Sequence, residues 1–345
     1  MIERDTPHDP QDWHGTIPDG EVDRFGDFAQ QVNRFQKQFA RRGDGQTRRG
    51  FHVKSHAGLV GEFRVLADIP PEARRGIFAS PRRFKAWVRL SNGFSSTKSD
   101  WFPDLLGCSV KLDGVEGPKL VPGETHAQTQ DFLALNQPYL PADDAAQLMV
   151  ISLATGNLLT APFKLIGGLG LRKALRVIGW TLAWTPRRLL LRSAATEDFH
   201  GIAPISIGDT PIKFAWISRQ KRRAGRRKNW RNFLRDDLRQ RLAEGDLAYD
   251  FVVQFHVDPA TTPIDGGFPW KTADTPWIRL AELVIPRCDL DAEESMAREN
   301  YLNGLSFNPW HALAEHRPVG NIQRARGLIY QRSAEYRGRS AEPEG

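Results

Sequence analysis

The chain has 345 residues, 40% of them hydrophobic and 26% charged, which is globular material and excludes whole-chain disorder. Two cysteines, Cys108 and Cys288, are too few for a disulfide framework or a four-cysteine metal site, and they fit a reducing, cytoplasmic setting. The net charge of +7 raises nucleic acid as a partner, but the basic clusters at 41–49, 172–192 and 219–231 come with no helix-turn-helix, zinc-finger or RNA-binding signature, so solvated basic faces are expected and no nucleic-acid partner.

In chain order, residues 1–23 read as a polar arm rich in Asp, Pro and Gly, with no apolar run of export-signal length. Val22, Phe25, Phe28, Val32, Phe35 and Phe39 fall three and four apart and predict a helix over 22–41. Strands are predicted at 50–66, 86–90, 107–112 and 130–139, the last stopped by Pro138. From Ala145 to Arg192 the apolar spacing turns helical, interrupted by Gly167, Gly168, Gly170 and Pro186, and predicts two or three helices. Strands return at 212–218, 249–258 and 277–286, followed by a helix or turn over 291–303 and a final helix over 320–336. Strands, a helical insertion, more strands and a last helix describe an α+β chain whose antiparallel barrel or sandwich carries helices at one end. The glycines at 167, 168 and 170 do not follow a strand, which argues against a dinucleotide-binding site.

Four clusters carry candidate chemistry. In Arg49-Gly-Phe-His52-Val-Lys54-Ser-His56, an extended strand would put His52, Lys54 and His56 on one face. Two histidines at this spacing could chelate a metal, but no third ligand lies nearby. Arg89 and Ser91 share a face of the next strand, and Asn136 ends an apolar strand where burial would demand a hydrogen-bond partner. Arg326 and Tyr330, four apart on the last helix, stack on one face, and a guanidinium beside a phenol favours the phenolate, a hard ligand suited to ferric iron. Alone, the first cluster reads equally well as a solvated strand edge, and the other three read better as ordinary strand-end or surface polarity.

Taken together and in this order, the clusters resemble the haem-dependent catalase family. Arg49, His52 and Lys54 match its Arg-x-x-His-x-Lys segment. Arg89 and Ser91 match its Arg-x-Ser, and Asp131, Asn136 and Pro138 its Asp-x-x-x-x-Asn-x-Pro. Arg326, Tyr330, Tyr336 and Arg337 match its Arg-x-x-x-Tyr helix with Tyr-Arg six residues on, and 254–261 looks like the segment before its last barrel strand. The resemblance spans about 49–337 and implies a catalase-like antiparallel β-barrel core with a helical insertion and a C-terminal proximal helix. The implied division is an N-terminal arm and helix over 1–48 and a haem-binding barrel over 49–345 that includes the insertion 145–200. The chain looks like a minimal member, without the family's C-terminal domains.

The resemblance also implies the cofactor, haem b with its iron, and a role for each matched residue. Tyr330 would be the iron ligand, with Arg326 supporting its charge. His52 would move the peroxide proton, Ser91 would hold the His52 ring, and Asn136 would orient the peroxide. Arg49, Arg89 and Arg337 would pair with the haem propionates. The implied activity is that of a catalase-related peroxidase or weak catalase acting on hydrogen peroxide. A fatty-acid hydroperoxide isomerase or lyase of the allene-oxide-synthase type and a non-catalytic haem-binding protein stand as alternatives. The sequence departs from the family at His56, which follows one extra residue after Lys54, at Leu135, where a second Asn is usual, and in the insertion. The Trp- and Leu-rich insertion with its Arg and Lys residues reads either as helices packed on the barrel or as an apolar entry at a membrane surface, so peripheral membrane contact, an organic or lipid donor and a homo-oligomer are all compatible with the sequence.

Overall fold

Antiparallel pairing of the strands sets the architecture. In the computed structural model, residues 19–338 are described except 43–46, 94–96, 103, 122–123, 125, 155–158 and 222–228. The polar arm therefore lies almost wholly outside the described residues, as do parts of the basic clusters at 41–49 and 219–231.

The chain runs α1 (Glu21–Arg42), β1 (Ser55–Val65), β2 (Arg83–Asn92), β3 (Leu106–Asp113), β4 (Thr129–Leu135), α2 (Ala145–Ala154), α3 (Ala161–Leu169), α4 (Leu171–Leu190), β5 (Phe199–His200), β6 (Ile205–Ile207), β7 (Thr210–Ser218), α5 (Phe233–Glu244), β8 (Leu247–Phe255), β9 (Ile278–Ile285), α6 (Glu293–Gly304) and α7 (Asn321–Tyr336). The strands follow the order β5-β4-β3-β2-β1-β9-β8-β7-β6. The short β5 pairs with both β4 and β7, which closes eight antiparallel strands into a barrel and leaves β6 as a flap on β7. This is the expected α+β barrel, with the helices of the insertion between β4 and β5.

The interior is solid. Along β2, Phe84, Ala86, Val88 and Leu90 join the main core, and along β3, Leu106, Cys108, Val110 and Leu112 do the same. Phe63 lies at its centre, with ring centroids 5.6 Å from Phe251, 5.9 Å from Trp216, 6.2 Å from Phe78 and 6.4 Å from Phe132. Such an aromatic filling gives large burial and edge-to-face contacts. Because side chains alternate, Trp87, Arg89 and Ser91 of β2 and Gly107, Ser109 and Lys111 of β3 face outward.

Three helices pack together over that outer flank. Phe25, Ala29 and Val32 of α1 pack with Ala325, Leu328 and Ile329 of α7 and with Ala145 and Met149 of α2. Glu21 in the first turn of α1 accepts two hydrogen bonds from Arg324 of α7, at 2.7 and 2.9 Å, and so fixes one helix on the other.

The strand expected over 50–66 begins only at Ser55. Residues 50–54 form an irregular turn, and His52 has φ 57°, the single left-handed non-glycine among the described residues. The shared face expected for His52, Lys54 and His56 does not form. Helix α5 was hidden by its charges, although Leu234, Leu238 and Leu242 are four apart and buried.

Candidate functional site

Three aligned rows cross the outer face of the barrel. Arg89 stands opposite Ser109 and Ser109 opposite Leu133. Ser91 stands opposite Gly107 and Gly107 opposite Leu135. Trp87 stands opposite Lys111 and Lys111 opposite Asp131. Arg89, Ser109, Leu133 and Leu135 of the first two rows form the floor of a cavity of about 500 Å³ between the barrel, α1, α7 and the insertion helices.

His52 lies on that floor. Its left-handed backbone is held by its own N–H donating to Gly93 O at 3.1 Å and by Arg89 Nη2 donating to His52 O at 2.9 Å. A conformation of this kind costs roughly 1–3 kcal/mol and persists only where the surroundings fix it. The ring's Nδ1 is 3.2 Å from Ser91 Oγ. On the β3 side the ring has no room to spare, because a Cβ on Gly107 would come within 2.5 Å of Nδ1. Burial first, then the charges of Arg89, Arg49 and Arg326, push the His52 pKa down to about 3, so the ring is neutral near pH 7.

Arg49, Arg89, Arg326 and Arg337 all line the cavity, with Asp104 as the one carboxylate among its described lining residues. Arg49 Nη2 donates to the backbone carbonyls of Leu302, Asn303 and Leu305, at 3.4, 3.4 and 2.5 Å, and its guanidinium lies over the Phe307 ring. Arg89 Nε donates to Asn303 Oδ1 at 2.9 Å. Burial, reinforced by Arg89 and Arg337, lowers the Arg49 pKa, and burial lowers that of Arg89 to about 10. Crowded guanidiniums in a low dielectric call for an anion, and carboxylates or phosphates match their paired donors. On α7, Arg326 sits above the Tyr330 ring, 5.3 Å from its centroid, and the phenol lines the cavity.

Away from this polar end the walls are aliphatic. They include Leu148 and Ile151 of α2, Leu165 of α3 and Val177, Ile178 and Leu182 of α4. The cavity therefore has a cationic end able to hold an anionic group and an apolar arm.

Six of the eight expected site residues, Arg49, His52, Arg89, Arg326, Tyr330 and Arg337, meet at the cavity, and Ser91 stands behind the His52 ring. Asn136 does not. Its Oδ1 accepts from Leu106 N at 2.7 Å, its Nδ2 donates to Glu197 at 3.1 Å, and the neighbouring Leu135 lines the cavity in its place. Asn136, one residue past the end of β4, therefore lies outside the cavity lining, and its side chain serves the backbone of β3. His56 also faces elsewhere. It is fully buried, with Nε2 2.7 Å from Asn92 Oδ1, and Lys54 reaches Asp100 at 2.5 Å.

Sequence reading missed Gly107 and the group behind the floor. There Lys111 Nζ meets Asp131 Oδ1 at 2.7 Å, and His311 Nδ1 lies 3.0 Å from Asp131 Oδ2. Burial and Lys111 act to lower the His311 pKa, but hydrogen bonds to Asp131 and Glu124 and the charge of Asp131 lift it to about 9. Asp131 also accepts from Asn308 N at 2.9 Å, which ties the strands to the segment that carries Phe307 into the cavity wall. A glycine at the head of a strand was the available signal for Gly107. The 180-residue separation of Asp131 and His311 gave none. Among the described residues no cluster of three His, Cys, Asp or Glu side chains could hold a metal.

No family model matches the chain, and no curated protein matches it. Solved structures do. A fungal catalase superposes with a TM-score of 0.67 at 15% identity, covering 84% of this chain and 59% of its own. Catalase A from Saccharomyces cerevisiae gives 0.67 at 14% identity, covering 87% and 62%, and a bacterial catalase gives 0.61 at 15%, covering 96% and 62%. This chain thus spans about three fifths of the length of these proteins. The closed antiparallel barrel, its flanking helices and these superpositions together establish that the chain has the catalase-like fold.

Proposed function

We propose that the protein is a haem-dependent oxidoreductase that processes peroxides. The observation that carries the reading is the meeting of a cationic end, a phenol and a neutral histidine around one largely apolar cavity. A flat apolar macrocycle with two carboxylates suits that combination. Tyr330 would hold the iron through its phenolate oxygen, with Arg326 above the ring supplying positive charge. Arg49, Arg89 and Arg337 would pair with the propionates.

When bound, ferric haem supplies the redox chemistry that cleaves a peroxide O–O bond. The chain's own contribution is a proton relay. His52, neutral at working pH, accepts the proton of the incoming hydroperoxide and returns it to the departing oxygen. Ser91 holds the imidazole plane, and the backbone at Gly107 supports it from below. Leu135 and the aliphatic arm favour an organic hydroperoxide, isomerised or cleaved, as a second reading beside hydrogen peroxide.

The test is reconstitution with haem, followed by an absorption spectrum and initial rates with hydrogen peroxide and with a fatty-acid hydroperoxide. Tyr330→Phe should lose haem or shift the ferric spectrum away from a phenolate-ligated form, and His52→Ala should keep haem but react about 10²–10⁴-fold more slowly. Unchanged haem content and spectrum in Tyr330→Phe would sink the ligand assignment. A haem-loaded parent inert to both oxidants would leave a binding protein.

A further inference from the structure

The insertion helices carry an apolar surface that the fold leaves uncovered. Among the described residues fifteen large hydrophobic side chains are exposed, and eight of them fall between 159 and 190: Leu159, Phe163, Ile166, Leu171, Leu175, Leu182, Leu189 and Leu190. They are not scattered. On α4 the positions 171, 175, 182 and 189 return to nearly the same angle of a 3.6-residue helix and make one stripe along its outer side, while Ala174 and Val177 point inward and are buried. Phe163, 77% exposed, and Ile166 add apolar surface from α3.

Charge selects what covers this surface. Residues 145–192 contain seven basic residues, Lys164, Arg172, Lys173, Arg176, Arg187, Arg188 and Arg192, and no acidic one. Asp143, just before the segment, pairs with Lys173 and Arg176 at 3.3 and 2.6 Å and neutralises only part of that charge. A second copy of the chain meeting this face about a two-fold axis would set like charges against each other. An anionic bilayer satisfies both features, because leucines enter the acyl boundary while flanking cations meet headgroups. No helix among the described residues is long and apolar enough to cross a membrane, so the contact is interfacial.

The cavity reaches the same face. Leu182 is 65% exposed in the stripe and also lines the cavity, whose apolar arm runs along the inner sides of α2, α3 and α4. We infer that α3 and α4 form a docking surface for an anionic lipid bilayer, with the apolar arm of the cavity opening onto it. An acyl chain can then pass from bilayer to cavity without crossing water. The docking itself does not rest on the haem reading.

The experiment is sedimentation of the full chain with phosphatidylcholine vesicles and with phosphatidylcholine–phosphatidylglycerol vesicles, at low and high salt. The expected result is binding to the mixed vesicles, weakened by salt, and little binding to the neutral ones. The variant Phe163→Ser/Leu171→Ser/Leu175→Ser, at exposed positions outside the cavity lining, should bind the mixed vesicles about tenfold or more weakly while keeping the parent's melting temperature. No binding by the parent, equal binding to neutral vesicles, or a variant that binds like the parent would overturn the inference. A parent dimer that the variant converts to monomer, without vesicle binding, would assign the stripe to self-association instead. Because the readout is sedimentation, failure of the haem reading leaves this result unaffected.

Discussion

A methyl group on Gly107 would lie 2.5 Å from Nδ1 and 2.6 Å from Cε1 of His52, so the imidazole rests directly on the backbone of β3. The same Cβ would be 3.2 Å from Ser91 Oγ, the atom that holds the ring's edge.

Gly107→Ala should therefore lift the ring off its seat without straining the strand. The expected outcome is a haem-loaded protein whose peroxide reaction slows toward that of His52→Ala, with a melting temperature close to the parent's. Stopped-flow rates per bound haem provide the check. A full rate in Gly107→Ala would mean that the position of His52 does not matter to the chemistry.

Asn136 and Leu135 should separate stability from chemistry. Asn136→Ala removes the acceptor for the buried Leu106 N–H and should cost about 1–3 kcal/mol in denaturant unfolding, with the rate per bound haem unchanged. Leu135→Asn, by contrast, puts an amide into the cavity wall and should alter the ratio of rates with hydrogen peroxide and a fatty-acid hydroperoxide. If Asn136→Ala abolished peroxide reaction in folded, haem-loaded protein, the orientation of that side chain would need revision.

Stability should fall steeply in acid. His52 and His316 are buried with pKa values lowered by burial to about 3 and about 4. In the unfolded chain both titrate near 6.5, so between those folded values and about pH 6.5 the unfolded state binds more protons and stability rises with pH. His311 has the opposite sign. Its folded pKa of about 9 gives a contribution that is complete below about pH 6.5 and lost as pH rises through 9.

The His316 contribution can be isolated. Its Nε2 accepts from Ile77 N at 2.9 Å while Nδ1 faces Ser206 O at 3.2 Å, an arrangement made by the neutral ring. His316→Gln keeps one acceptor and one donor but cannot titrate. The acid limb of the unfolding free energy should then flatten by up to about 1.4 kcal/mol per pH unit. An unchanged slope would show that His316 does not resist protonation.

The strands were legible in the sequence because short runs of β-forming residues at 86–90, 107–112 and 277–286, the last clearly alternating, stand between polar stretches. The closure was not, since it depends on the two-residue strand Phe199–His200 bridging Leu135 and Trp216. At the site, spacing in the last helix was enough to pair Arg326 with Tyr330. It misled at 50–56, where the left-handed turn at His52 breaks the alternation that would have put His52 and His56 side by side. At the end of β4 a motif match named Asn136, while it is Leu135, the last residue of the strand, that lines the cavity. The pairing of Asp131, a motif residue, with Lys111 and His311 gave no local signal, because it is made by the fold rather than by neighbours in the chain.

The aromatic rings that fill the barrel bear on how such a protein can change. Phe63, Phe132, Trp216 and Phe251 pack against one another inside the barrel, while the cavity lies outside it, on the flank. The cavity on the flank is walled in part by α2, α3 and α4, which belong to a single excursion between β4 and β5. That part of the wall and the scaffold are thus separate stretches of chain. Exchanging residues 145–190 should redirect which molecules arrive while the strand floor beneath His52 stays as it is, and that division makes the insertion the natural target for altering substrate size.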